Sequence, residues 1–124
     1  MPNDLKTLSE RIARGEQPEY ADFPDEYILQ GHDSGDLFWI DWFHIPKEVR
    51  GKGHGRAFYQ AIERWVRDGE VVTKQIRIMA ADSGNGPTDE FWIKMGFEHI
   101  SENSEDYEQS HMMRKTLKTK KVPV

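Results

Sequence analysis

The chain has 124 residues, one domain's worth, with 36% apolar and 31% charged residues and a formal net charge of −5. It has no cysteine, which excludes disulfides, thiolate zinc sites, iron–sulfur clusters and a Cys nucleophile. The start MPNDLKTLSE lacks a basic n-region and an apolar h-region, and the longest plain apolar run, Leu37-Phe38-Trp39-Ile40, is far short of a membrane span, so a soluble, cytoplasmic protein is expected.

In chain order, Asn3 or Asp4 supplies an N-cap, Leu5, Leu8 and Ile12 fall at helical spacing, and Gly15 ends a short predicted helix. Residues 16–25, with Pro18 and Pro24, read as a loop. A strand is predicted from Glu26 to His32, a turn over Asp33-Ser34-Gly35-Asp36, and a second strand from Leu37 to Ile45. Aromatics on both sides of that second strand point to a central position, covered on both faces. Alternation puts Trp39, Asp41, Phe43 and Ile45 on one face, with Phe38, Ile40, Trp42 and His44 on the other. Gly55 to Asp68 is predicted helical, since Ala57, Phe58, Ala61, Ile62, Trp65 and Val66 form an apolar stripe that Gly69 stops. A strand over Val71–Ala81 follows, then a turn at Asn85-Gly86-Pro87 and a short helix from Thr88 to Met95, closed by Gly96. The last strands are predicted at Phe97–Ser101 and His111–Leu117, with the acidic stretch SENSEDYEQS as the loop between them. The order α-β-β-α-β-α-β-β predicts a single α/β domain, residues 1–124, around a sheet of mixed strand direction.

Charge is unevenly spread. Residues 1–45 carry three basic groups against ten acidic, residues 46–97 nine against seven, and residues 98–113 five acids and no Lys or Arg. The tail, 114–124, carries five basic groups. A mildly basic middle suits an anionic ligand, and acidic flanks suit a cationic one. No cluster points to a bound metal.

The segment Ile45-Pro46-Lys47-Glu48-Val49-Arg50-Gly51-Lys52-Gly53-His54-Gly55-Arg56 joins a predicted strand to a predicted helix. Alternate glycines let the backbone turn tightly, so several N–H groups point into one concavity. The helix start adds its positive dipole end, and Lys52 and Arg56 add full charges. Such a loop suits a phosphate or pyrophosphate. It is neither a Walker loop, lacking Gly-Lys-Ser/Thr, nor the dinucleotide G-x-G-x-x-G, since position 56 is arginine.

Arg50-x-x-Gly53-x-Gly55 resembles the Arg/Gln-x-x-Gly-x-Gly/Ala signature of the GNAT superfamily, the acyl-CoA-dependent N-acetyltransferases. A second block resembles it too: Asn85 stands seven residues before Trp92, which opens an aromatic-x-Lys-x-Gly-Phe run, Trp92 to Phe97. His111 to Leu117 is similar to the family's last strand. Together these cover about residues 37 to 117.

The resemblance implies an α/β (α+β) GNAT fold. Its central mixed, mostly antiparallel sheet is splayed between two parallel strands, with helices on both faces. It also implies acetyl-CoA as acyl donor and direct transfer to a primary amine in a ternary complex. Cofactor contacts would come from the backbone at Phe43 and Ile45, from the loop Arg50, Gly51, Lys52, Gly53, His54, Gly55 and Arg56, and from Asn85 and Trp92. Asp41 is the first candidate for the base that frees the amine. Asp82 is the second, because the family's usual carboxylate position falls on Ala80. Trp92 stands where many members have a Tyr that reprotonates the thiolate, and an indole N–H is no proton source at neutral pH. The acceptor half before the loop-bearing strand is shortened, so the acceptor pocket is shallow, open to a macromolecule, or completed by a second subunit as in a homodimer. Its acidic balance favours a cationic amine, small molecule or protein. The alternative is a GNAT-fold module that binds acetyl-CoA without catalysis. The basic run Arg114 to Lys121 reads as a solvated terminus, and neither nucleic acid nor membrane is expected as a partner.

Overall fold

The structure is a computed structural model. It describes residues 4–69, 72–80, 88–100 and 111–117. Helix α1 spans Leu5–Ala13, α2 His54–Asp68 and α3 Asp89–Lys94. Strands β1 (Ile28–Ser34), β2 (Leu37–His44), β3 (Gln75–Met79), β4 (Glu98–His99) and β5 (Met112–Thr116) form one sheet in the order β1-β2-β3-β5-β4. β2 and β3 run parallel, while β5 is antiparallel to both β3 and β4. The mixed strand direction expected from the sequence is thus present. Chain contacts group the molecule into two compact units, residues 1–30 with 42–70, and residues 31–41 with 71–124.

In the first unit Asp4 caps α1, its Oδ1 accepting from the Thr7 N–H at 2.7 Å, which holds the carboxyl below its usual range. Gly15, at φ +82°, closes the helix end. Leu8 is the one residue α1 buries. The centre is aromatic: Phe58 of α2 has Phe23 at 4.9 Å, Tyr27 and Phe43 at 5.4 Å and Tyr20 at 6.0 Å, ring centre to ring centre. Each fully buried ring of this kind is worth about 1.5–3 kcal/mol. The predicted apolar stripe of α2 holds at Phe58, Ala61, Ile62 and Val66. Trp65 instead stands half-exposed and stacks on Tyr20 at 5.4 Å, and Tyr59 is buried in its place, its hydroxyl donating to Glu63 at 3.0 Å. The segment read as loop contains a single 3-10 turn, Tyr20–Asp22.

In the second unit the sheet has two unlike faces. Phe38 and Ile40 of β2 pair with Ile76 and Ile78 of β3, and Ile78 pairs with Met113 of β5. All five are buried. The opposite row runs Trp39, Arg77, Arg114, Glu98 across four strands. There the Arg77 guanidinium lies 5.7 Å from the Trp39 ring centre, and Arg114 bonds Glu98 at 3.0 Å. β2 was expected to be covered on both faces. Instead Asp41 is exposed and Trp42 is 55% exposed. The pairing with β3 ends at Ile40, so apolar partners flank only the first half of β2. β3 is shorter than predicted because Lys74 is bonded outside the ladder, its N–H donating to the Asp36 carbonyl at 2.7 Å and its carbonyl accepting from Leu117 N–H at 2.8 Å.

Candidate functional site

After β2 the chain passes through buried Pro46 into a 3-10 turn, Lys47–Val49, whose Val49 side chain is buried. Arg50 is extended and exposed. Gly51 and Gly53 then take φ +78° and +86°, a region that costs an L side chain about 1–2 kcal/mol. These positive angles account for Gly51 and Gly53, while Gly55 lies buried in the first turn of α2. They reverse the chain directly into α2.

Gly53 is the N-cap of α2, and no side chain caps that end. The first intrahelical bond is Ala57 N–H to the Gly53 carbonyl at 3.1 Å. The amides of His54, Gly55 and Arg56 precede it and have no acceptor in the helix. Three donors therefore sit at the positive end of a 15-residue helix dipole. Gly51, Lys52, Gly53 and Arg56 are exposed, so the loop presents backbone donors and two cations to solvent. Backbone donors at a helix start suit the oxygens of an anion.

The His54 side chain plays a different part from its amide. It is 3% exposed, and its Nδ1 lies 2.6 Å from the Tyr27 hydroxyl. Burial, aided by Lys52, pushes the His54 pKa down, while burial and Glu26 push Tyr27 up to about 12. Both groups are neutral near pH 7, so a single proton is shared along this contact, and the imidazole tautomer sets which atom donates. This bond pins the helix start to the aromatic cluster around Phe58. Ser9, Ile12 and Ala13 of α1, with Val49, Lys52 and His54, line a cavity of about 260 Å³ beside the loop.

Phe43 is half-buried, its ring tilted 31° against that of Phe58, and Ile45 is half-buried as well. Asp41 is exposed, and its Oδ2 lies 2.6 Å from Nδ1 of His32 on β1. Asp82 and Asn85 lie outside the described residues. Trp92 is 2% exposed, edge-on to Phe91 at 4.9 Å and to Phe97 at 5.2 Å, in the core of the second unit. Ala80, at the family's carboxylate position, is fully buried.

Among the described residues, the side-chain partnerships that were not foreseen include Tyr27 with His54, His32 with Asp41, and Asp89 with two histidines. Asp89, at the start of α3, accepts from His99 Nε2 at 2.7 Å and from His111 Nδ1 at 2.9 Å. Burial works to raise its pKa, but the bonds from His99 and His111 and the charge of His111 outweigh it and hold the carboxyl low. Only the His32–Asp41 pair had a local signal. Counting back from a two-residue turn at Gly35-Asp36 sets His32 across from Trp39 and diagonal to Asp41.

Among the described residues no group of three His, Cys, Asp or Glu could hold a metal ion, and no helix is long and apolar enough to cross a membrane.

No family model matches the sequence, and no curated protein matches it. Solved structures do. A candidate N-acetyltransferase from Lactobacillus plantarum matches with a TM-score of 0.57 at 22% identity, over 76% of this chain and 63% of that one. N-acetylglutamate synthase from Neisseria gonorrhoeae, complexed with coenzyme A and N-acetyl-glutamate, matches at 0.54 and 16% identity, over 74% of this chain and 22% of that one. Rv2747 from Mycobacterium tuberculosis, in complex with CoA, matches at 0.54 and 18% identity, over 93% of this chain and 82% of that one. The chain thus spans less than two thirds of the first two proteins. With the mixed sheet, the one parallel pair and the glycine turn into α2, these likenesses establish that the chain has a GNAT-like fold.

Proposed function

We propose that the chain binds acetyl-CoA and transfers its acetyl group to a primary amine. The observation that carries this reading is the uncapped start of α2 behind two glycines at positive φ, a backbone cradle suited to a diphosphate. Coenzyme A supplies the activated thioester, and this chain's residues bind and orient it. Amides from Gly51 to Arg56 hold the diphosphate, with Lys52 and Arg56 adding charge and Arg50 standing at the loop's entrance. The β2 backbone at Phe43 and Ile45 pairs with the pantetheine arm as an added strand. An N–H there polarises the thioester carbonyl and stabilises the oxyanion. Asn85 enters as a cofactor contact by resemblance alone. Trp92, with its ring buried, serves the core of its unit. The ten acids of residues 1–45 favour a cationic amine as acceptor.

The experiment is a thermal-shift titration with acetyl-CoA, followed by thiol release across polyamines, aminoglycosides, amino acids and peptide N-termini. A specific ligand at 1,000 times its Kd stabilises by about 4 kcal/mol. A rise in Tm with acetyl-CoA and thiol release with a cationic amine is expected, and no shift at millimolar ligand would overturn the reading. Buried Trp92 and Ala80, standing where the family often has Tyr and a carboxylate, favour a second reading: a module that binds acetyl-CoA without turnover. A thermal shift without thiol release from any amine selects it.

A further inference from the structure

We propose that Tyr27 and the His54 side chain are positioning residues for the cofactor: their bond holds the start of α2 where its amides meet the diphosphate. This rests on the acetyl-transfer reading above. Every residue involved belongs to the first compact unit.

The loop has few fixings of its own. Val49 is buried, but Arg50, Gly51, Lys52 and Gly53 after it are all exposed. A Cβ built on Gly51 or Gly53 would meet no atom within 4 Å, so that side of the backbone faces open space. No side chain caps α2. His54 is therefore the first residue after Val49 with a buried side chain. Its amide is one of the three that have no acceptor in the helix. A single residue thus carries both a donor for the ligand and the anchor that fixes where that donor sits.

The anchor is firm at its far end. Tyr27 is buried, with its ring edge-on to Phe23 at 5.1 Å and to Phe58 at 5.4 Å. Its amide donates to the Pro24 carbonyl at 3.0 Å. The hydroxyl then stands 2.6 Å from His54 Nδ1, and the two rings lie 17° from parallel. Apolar packing is non-directional, whereas a hydrogen bond fixes distance and angle. The body of α2 is held separately, by buried Phe58, Ala61, Ile62 and Val66. Loss of the hydroxyl should therefore loosen the start of the helix and leave the rest in place. Donors that are already ordered bind more tightly than donors that must be ordered by the ligand.

The test is calorimetric titration of coenzyme A into the full chain and its variants, each well below its own melting temperature. Tyr27→Phe removes only the hydroxyl and should raise the Kd about five- to tenfold. His54→Leu removes the other partner and should also weaken binding. Adding Tyr27→Phe to it should change the Kd by no more than about twofold, because one bond can be lost only once. Val66→Ala is the control for stability alone. It removes buried volume from the later turns of α2, so it should lower the melting temperature at least as far as Tyr27→Phe while its Kd stays within about twofold of wild type. Should His54→Leu fail to fold, Tyr27→Phe against Val66→Ala decides. The proposal is overturned by a Tyr27→Phe Kd within about twofold of wild type, by a Val66→Ala loss of equal size, or by losses that multiply in the double variant. Each of these leaves the cofactor site standing. A wild type that takes up no coenzyme A at millimolar concentration would bring down the acetyl-transfer reading, and this proposal with it.

Discussion

The glycine turn into α2 and the Asp89 cluster at α3 are both polar sites at the start of a helix, yet they are built in opposite ways. In the turn, two positive-φ glycines lead into a helix start whose consecutive backbone amides have no acceptor within the helix. At α3, one carboxylate gathers imidazoles from β4 and from the start of β5, ten and 22 residues away in sequence, and its partners are already supplied. Open donors make a place for a ligand, while closed pairs make a fastening. The lesson is that a candidate site is read from donors left unsatisfied, and a fastening from groups satisfied at a distance.

The largest effect should separate the two by affinity. Gly53→Val puts a β-branched side chain at φ +86°, where its Cβ meets no neighbour, so the damage is to backbone conformation rather than to packing. Coenzyme A affinity should fall at least about 100-fold while stability drops by about 1–3 kcal/mol, read by calorimetry and thermal melting. Asp89→Asn should leave affinity unchanged and touch stability alone.

Next comes a packing test within the second unit. A Cβ on Gly31 would lie 2.5 Å from Phe38 Cζ and 2.7 Å from the Trp39 carbonyl oxygen. The hairpin backbone must shift, so Gly31→Ala should cost about 1–3 kcal/mol in denaturant unfolding. Wild-type stability in that variant would show that the two strands can part more freely than their spacing indicates.

Tyr27→Phe should be smaller, about 1–2 kcal/mol, because it strands a buried imidazole nitrogen. His54 has a depressed pKa in the folded state. Its contribution is therefore present above its unfolded value near 6.5 and lost as pH falls through the lower folded value. Tyr27 is raised, so its contribution is present below pH 10 and lost as pH rises through about 12. The cost of the variant, measured by chemical denaturation against pH, should shrink toward both ends.

Asp89→Asn should show the smallest effect, about 1 kcal/mol near neutrality, since Asn still accepts from one imidazole. The folded carboxyl is held low, so its contribution is present above the usual carboxylate pKa and drains as pH falls below about 4. A gap between wild type and variant that persists undiminished in acid would remove the ion-pair account of the cluster.

The glycine turn was legible in the sequence because its physics is local: Gly51, Gly53 and Gly55 alternate within a few residues, and a helix follows. A mixed sheet with a parallel pair could be expected from the family likeness, and helical spacing located Phe58, Ala61, Ile62 and Val66 on the buried side of α2. What could not be read depended on register across strands or on tertiary contact. Trp92 keeps the family spacing, but only the packing of Phe91 and Phe97 shows that its ring is spent on the core. Asp41 was visible as a carboxylate on a useful face, whereas its partner His32 required the hairpin register. Tyr59 and Trp65 exchanged their expected burial because Tyr20, on a turn that sequence periodicity does not mark, offers Trp65 a stacking surface.

The central claim is that the amides from Gly51 to Arg56 hold the diphosphate of a thiol cofactor. It is tested most directly by calorimetric titration of coenzyme A into wild type and Gly53→Val side by side. Saturable binding by the wild type, lost in a variant that remains folded, is the result this account predicts. A wild type that takes up no coenzyme A at millimolar concentration, or a variant that binds it equally well, would contradict it.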